Sequence, residues 1–305
     1  MRKIFDELIA FIKQYPFLFW VTVFVFLAIT VSVNYVFGLK EYMRTISGGS
    51  YFFVISSVYA FHLVGGYLLY SLFTKDFSFW KNPKFVLLLI LAIVIFAFRE
   101  SFDGYYQWIK IWSGDELISV NQRTWKYPFR MLFLLIPVFL YWLIFEKDKT
   151  NFYGFSFSNT PFKVYFLLLL CMVPLIVFAS TQTDFLSFYP RAKRISGVDL
   201  PMWRYILFEL CYASDFFGIE LFFRGFLIFA FVKIVGIHSI IPMACFYLSI
   251  HFGKPMGETI SSFFGGTILG LISYRTKSIN GGILIHVGIA WMMELGGFIG
   301  NYYLQ

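Results

Sequence analysis

The chain has 305 residues, of which 59% are hydrophobic, 23% aromatic and only 14% charged. Its mean hydropathy of +0.72 leaves too little charged surface for a soluble domain, so it reads as a polytopic membrane protein. The formal net charge of +8 does not point to nucleic acid, because the basic residues are spread through short loops between apolar runs, where they anchor at lipid headgroups.

Cys171, Cys211 and Cys245 all lie in apolar stretches without paired or metal-type spacing. That excludes a disulfide framework and a cysteine zinc motif and leaves three packing residues.

The chain opens with MRKIFDELIAFIKQY, whose apolar residues recur at helical spacing with charges between them, the pattern of a short amphipathic helix on a membrane surface. The run Phe17 to Phe37 is too long for a signal-peptide core and lacks a small-residue cleavage pattern, so it is expected to be retained as a first span. Further runs at Tyr51–Phe73, Phe85–Phe98, Phe129–Phe145 and Phe162–Ala179 are bounded by charges, Pro or Gly, and only Phe85–Phe98 is short for a bilayer. His62 stands alone in the second of these and reads as a hydrogen-bonded packing residue.

The connection from Arg99 to Arg130 alternates Tyr105, Tyr106, Trp108, Trp112, Trp125 and Tyr127 with charges, as an interfacial aromatic belt does. A second connection, Thr181 to Arg204, carries the basic string YPRAKR and the turn-like GVDLP. The expected organisation is therefore a set of N-terminal membrane helices over 1–180, a connecting segment over 181–204, and a polar-site half over 205–305. As a fold class this is an all-α transmembrane bundle of about eight spanning or re-entrant helices.

The polar half begins with an apolar segment, Met202–Phe217, that carries Arg204, Glu209 and Asp215, and continues into GIELFFRGFL. Glu220 and Arg224 stand four residues apart there, so an α-helix puts them on one face in the favourable acid-first order. Ionisable groups at membrane depth are expensive and pair inside the bundle, either to fix packing or to do chemistry. His251 ends the next apolar run and is followed by FGKPMGE, whose Gly and Pro break the helix and free backbone groups to line a cavity. Gly265, Gly266 and Gly270 permit close helix approach, and His286 then sits in the last run with Glu294 eight residues on. One acid, one arginine and two histidines in successive membrane segments suggest acid–base work on a water or a carbonyl, and Glu220, His251 and His286 are expected to converge on one polar cavity.

The string IELFFRGFL, the histidine closing CFYLSIH, and GGTILGLISYRTKSINGGILIHVGIA together resemble the CPBP (Abi) family, which contains type II CAAX prenyl endopeptidases, bacteriocin-processing and immunity proteins and related intramembrane proteases. The resemblance covers about residues 200–300. It implies that Glu220 is the second glutamate of the family's first motif, Arg224 its arginine, Tyr247 and His251 the second motif, and His286 the start of the third. Ile219 occupies the place of the first glutamate, the water-activating base, and Ala290 that of an oxyanion-stabilising Asn.

What the resemblance implies is an intramembrane endopeptidase in which Glu220 with His251 activates water, His286 stabilises the oxyanion and Arg224 holds Glu220. Asp215, Glu258 and Glu294 stand as supporting acids. The alternative is a catalytically silent relative, a membrane scaffold or immunity-type binding protein. Two histidines and a glutamate form a zinc set in principle, but the HExxH signature is absent and Arg224 competes for Glu220, so no metal or other cofactor is expected. The expected partners are membrane lipid and a membrane-associated peptide or protein, and the expected location is a bacterial plasma membrane.

Overall fold

The computed structural model describes residues 2–147, 151–156, 160, 162–195 and 199–304. All regular secondary structure among them is helical, as the sequence predicts. In chain order the α-helices are α1 (Arg2–Lys13), α2 (Phe17–Tyr35), α3 (Leu39–Arg44), α4 (Gly48–Thr74), α5 (Pro83–Ser101), α6 (Tyr105–Trp112), α7 (Ile118–Phe145), α8 (Phe162–Ala179), α9 (Thr183–Phe188) and α10 (Met202–Glu220). Then come α11 (Leu227–Phe229), α12 (Val232–Val235), α13 (Ile240–Ser249), α14 (Met256–Thr276) and α15 (Asn280–Leu304). The turn-like stretch GVDLP lies partly outside the described residues.

Six stretches among the described residues are long and apolar enough to cross a membrane, or seven if α5 and α6 form one broken span. The chain is a multi-pass membrane protein. The 48-residue stretch Met202–Ser249 contains an apolar span but also Arg204, Glu209, Asp215, Glu220 and Arg224, and it is not one helix. After α10 it passes through a π-helical turn, Leu221–Phe226, and turns again at Gly236, whose φ of 60° suits a residue without Cβ. The run expected to begin at Phe129 belongs to a longer helix, α7, that starts at Ile118. Its Pro128 and Pro137 interrupt the hydrogen-bond ladder without ending the helix, as membrane helices tolerate.

The chain forms two compact units. The first comprises Met1–Ser101, Thr150–Phe155 and Phe223–Ser278. Within it α4 packs on α2, α5 and α13, and α13 packs on α14. In lipid, helix association rests on close packing more than on the hydrophobic effect, so small residues at crossings matter. Gly66 is such a residue: a Cβ there would stand 2.6 Å from Pro242 Cα. His62 is buried in this unit, with Nδ1 2.7 Å from the Val58 carbonyl and its ring among Phe26, Phe61 and Phe252.

The second unit comprises Phe102–Lys149, Ser156–Phe222 and Ile279–Gln305. Here α10 packs along α7 and α15, and α8 covers another side of α15. A Cβ at Gly218 would lie 3.1 Å from Met131 Cα, so the end of α10 rests directly on the backbone of α7. Around this seam Val120, Tyr127, Phe208, Tyr212 and Ala290 form one buried cluster.

Candidate functional site

Glu220 is the last residue of α10 and has no exposed surface. A carboxylate so placed is costly unless something pairs with it. Its Oε1 lies 2.5 Å from Nδ1 of His286, on the second turn of α15. Gly282, one turn earlier on α15, faces the same carboxylate, and a Cβ there would run into Oε2. The doublet at 281–282 thus has a steric reason that the sequence alone does not state, since Gly281 in turn gives room to the Tyr165 ring. Phe216, one turn before Glu220, lies parallel to the imidazole at 5.9 Å between ring centroids and 9° between planes. Phe216 and Gly282 are site neighbours that sequence reasoning passed over. Spacing from Glu220 and His286 along their helices was the available signal.

Beyond Glu220 the backbone leaves the α-helix for the π-helical turn that carries Arg224. Four residues in such a turn are not one α-helical turn, so the one-face geometry expected from the i, i+4 spacing does not describe this segment. Single π turns inside longer helices are uncommon and frequent at functional sites.

Arg224 belongs to the first unit and is fully buried. Its guanidinium carbon stands 4.1 Å above the centre of the Tyr247 ring, close enough for a cation–π contact. Tyr247 also braces His251: the two rings are 4.7 Å apart, and His251 Nδ1 is 2.8 Å from the Tyr247 carbonyl oxygen. His251, 7% exposed, follows the end of α13, and Thr259 donates from its hydroxyl to the His251 carbonyl at 2.9 Å. The Gly and Pro after His251 do break the helix, with Gly253 at φ 89° and α14 starting after Pro255.

Of the three supporting acids, Glu258 pairs with Lys254 at 2.6 Å across one turn. Glu294 accepts backbone N–H bonds from Arg191 at 2.7 Å and Ala192 at 3.0 Å, which ties α15 to the turn before α10, and its charge acts on Glu209 nearby. Asp215, half-buried on α10, acts electrostatically on Lys126 and Tyr127. Among the described residues no three His, Cys, Asp or Glu side chains are grouped so as to hold a metal ion. Glu220 with His286 is a pair, short of the three protein ligands of a catalytic zinc.

Residues 201–292 match the family model for type II CAAX prenyl endopeptidase Rce1-like proteins. No curated protein and no solved structure matches the chain. The Rce1-like segment is less than half of the chain and contains Glu220, Arg224, Tyr247, His251 and His286. The match supports, at family level, the resemblance carried by the three motifs. Glu294, Lys126 and Arg191 fall outside the Rce1-like segment.

Proposed function

We propose that the protein is an intramembrane endopeptidase acting on a membrane-associated peptide or protein. The observation that carries this reading is the buried contact between Glu220 and His286 inside the Rce1-like segment. A carboxylate against one imidazole nitrogen fixes the ring's orientation and favours a proton on it. The pair then takes a proton from water as its oxygen attacks the scissile carbonyl, and returns a proton to the leaving amine. While protonated, His286 has its second nitrogen as a donor for the oxyanion. Arg224 and His251 enter this reading through their motif positions, Arg224 as a fixed positive charge and His251 as a further proton-transfer group. The chemistry needs no cofactor, and the setting proposed for it is a bacterial plasma membrane.

A second reading, a silent relative that binds membrane peptides as a scaffold or immunity factor, has an observation of its own. Ile219 and Ala290, at the family's base and oxyanion positions, are apolar and 6% and 3% exposed. One experiment separates the two. Purified wild type and Glu220→Gln, reconstituted in lipid, are offered a library of membrane peptides, and products are identified by mass spectrometry. The protease reading expects cleavage by wild type and a loss of at least about a hundredfold in the variant. Undiminished cleavage by Glu220→Gln would show that Glu220 is not the base, and absence of cleavage by wild type would favour the scaffold.

A further inference from the structure

The basic string YPRAKR has no part in the proposed chemistry, yet the fold gathers other cations around it. In the second unit Arg191 and Arg194, on a 3-10 turn over Arg191–Ile195, bracket the Phe188 ring with guanidinium carbons 4.5 and 5.5 Å from its centre. The guanidinium of Arg123 on α7 donates to the Arg194 carbonyl. One turn on, Lys126 lies 4.7 Å from the Tyr127 ring centre and feels the charges of Arg130, Arg191 and Arg194. Burial and the neighbouring Arg191 push the Arg194 guanidinium below its ordinary pKa. With Lys193 on the same turn, these six cations stand against three acids, Asp215, Glu209 and Glu294. Such an excess of like charge is unfavourable unless an anion joins it.

The same turn borders a groove of about 1090 Å³ between α10 and α15. Pro190, Ala192 and Lys193 line it, together with the carboxylates of Glu209 and Glu294. Ile206, Leu210, Leu295 and Phe298 make apolar walls of the same groove, and all four are also exposed on the outside of the unit. A cavity this large is at the upper end of small-ligand sites. We infer that the turn Arg191–Ile195 with Arg123, Lys126 and Arg130 binds the phosphate of an anionic phospholipid, one of whose acyl chains lies in the groove between α10 and α15.

Three features select this occupant. Guanidinium forks match phosphate oxygens in pairs, which favours a phosphodiester over a single carboxylate. Arg123, Lys126 and Arg130 lead into the apolar part of α7, with Trp125 and Tyr127 between them, the composition of a headgroup-level belt. Basic pockets between membrane helices at that level hold anionic headgroups. Lys193 of the cationic turn lines the same groove as the apolar Ile206, Leu210, Leu295 and Phe298, so one amphiphile satisfies both parts.

The test uses the full chain in detergent and native mass spectrometry with two lipids of identical chains, dioleoyl phosphatidylglycerol and dioleoyl phosphatidylcholine. Wild type is expected to retain the anionic lipid about tenfold better, a preference that falls as salt rises. The double variant Arg123→Gln/Arg194→Gln, made at two exposed arginines of the cluster, is expected to bring the preference within about twofold. Equal retention of the two lipids, a salt-independent preference, or an unchanged preference in a folded double variant would each overturn the inference. The salt titration needs wild type alone, so a variant that fails to fold leaves the test standing. Release of the bound lipid by inorganic phosphate at the same ionic strength as a chloride control would reassign the site to a soluble phosphate.

Discussion

Glu220 Oε1 and His286 Nδ1 stand 2.5 Å apart, joining the end of α10 to the second turn of α15 through side chains from distant parts of the sequence. The contact has a thermodynamic consequence as well as a chemical one. Glu220 is out of reach of solvent, so removing His286 strips a partner from a buried charge, whereas Glu220→Gln removes the charge itself. His286→Ala is therefore expected to destabilise the protein by about 3 kcal/mol and Glu220→Gln by clearly less. Denaturant melts of the two variants and of the double variant close a cycle, in which a coupling of about 1–3 kcal/mol is expected. A coupling near zero would mean that the two groups do not meet.

Gly282 makes a sharper demand. It faces the Glu220 carboxylate so closely that even one methyl group must move it. Gly282→Ala is expected to cost about 1–3 kcal/mol through overpacking and to lower peptide cleavage at least about tenfold, because the carboxylate is driven off its imidazole. Gly257→Ala is the control, since a Cβ there meets nothing within 4 Å. Activity that fell equally in both variants would show that helix propensity, and not the carboxylate's position, is being read.

Most of the fold was legible because lipid imposes simple rules. Helical spacing in MRKIFDELIAFIK and the uninterrupted run from Phe17 specify α1 and α2 almost residue for residue. His62, read as a packing residue, is one. What escaped has physical causes. The π-helical turn at Leu221–Phe226 leaves no trace in composition, since LFFRGF suits an α-helix equally well, and the one-face argument for Glu220 and Arg224 depended on α geometry. The start of α7 at Ile118 was hidden because its first turns are polar and aromatic, and the charge pattern of a headgroup-level helix resembles that of a connection. Which segments make up each compact unit depends on long-range packing that no local pattern encodes. At the candidate site, the motif places of Glu220, Arg224, His251 and His286 come from the family resemblance, whereas the pairing of Glu220 with His286 and the cap that Arg191 and Ala192 place on Glu294 join positions remote in sequence.

In the first unit the Tyr247 ring carries two loads, the Arg224 guanidinium above it and His251 beside it. Tyr247→Phe keeps the ring and is expected to change stability by less than about 1 kcal/mol, while Tyr247→Leu removes the cation–π contact of a desolvated arginine and is expected to cost about 2 kcal/mol or more. Thermal melts in one detergent compare them directly. Equal losses in both variants would assign the effect to the phenol oxygen instead of the ring.

One effect of pH on stability is expected from a loop outside the membrane segments. Asp76 accepts from the Ser78 hydroxyl at 2.6 Å and the Ser78 backbone N–H at 2.9 Å, and these bonds hold its carboxyl below the usual value, with a smaller contribution from His238. A depressed carboxyl stabilises the fold above its unfolded pKa, near pH 4, and that contribution is lost as pH falls through the lower folded value. Because the group is exposed, the effect is expected to stay below about 1 kcal/mol. Asp76→Asn should flatten this part of the pH–stability curve at and below about pH 4 and leave the curve parallel to wild type at neutral pH. A wild-type curve with no slope there would remove Asp76 as a contributor.

The chain departs from the motifs it resembles at two positions, Ile219 and Ala290. Ile219 stands next to Glu220, and Ala290 lies one turn after His286 inside a buried cluster with Tyr127, Phe208 and Tyr212. If these residues limit catalysis, Ile219→Glu combined with Ala290→Asn supplies a second carboxylate for the attacking water and an amide donor for the oxyanion, while Glu220 keeps its imidazole. One oxyanion donor alone is worth about 3 kcal/mol in a transition state, so cleavage by the folded double variant is expected to rise at least about tenfold over wild type. The cost falls on the fold: Ala290→Asn puts an amide into an apolar cluster and Ile219→Glu buries a new charge, together about 2–6 kcal/mol against stability. Cleavage rates therefore have to be measured on protein shown to be folded by its melt, with Glu220→Gln added to the same background. A rise that persists after Glu220→Gln would place the new carboxylate, and not Glu220, in the role of base, and no rise in a folded variant would show that Ile219 and Ala290 are not what limits this chain.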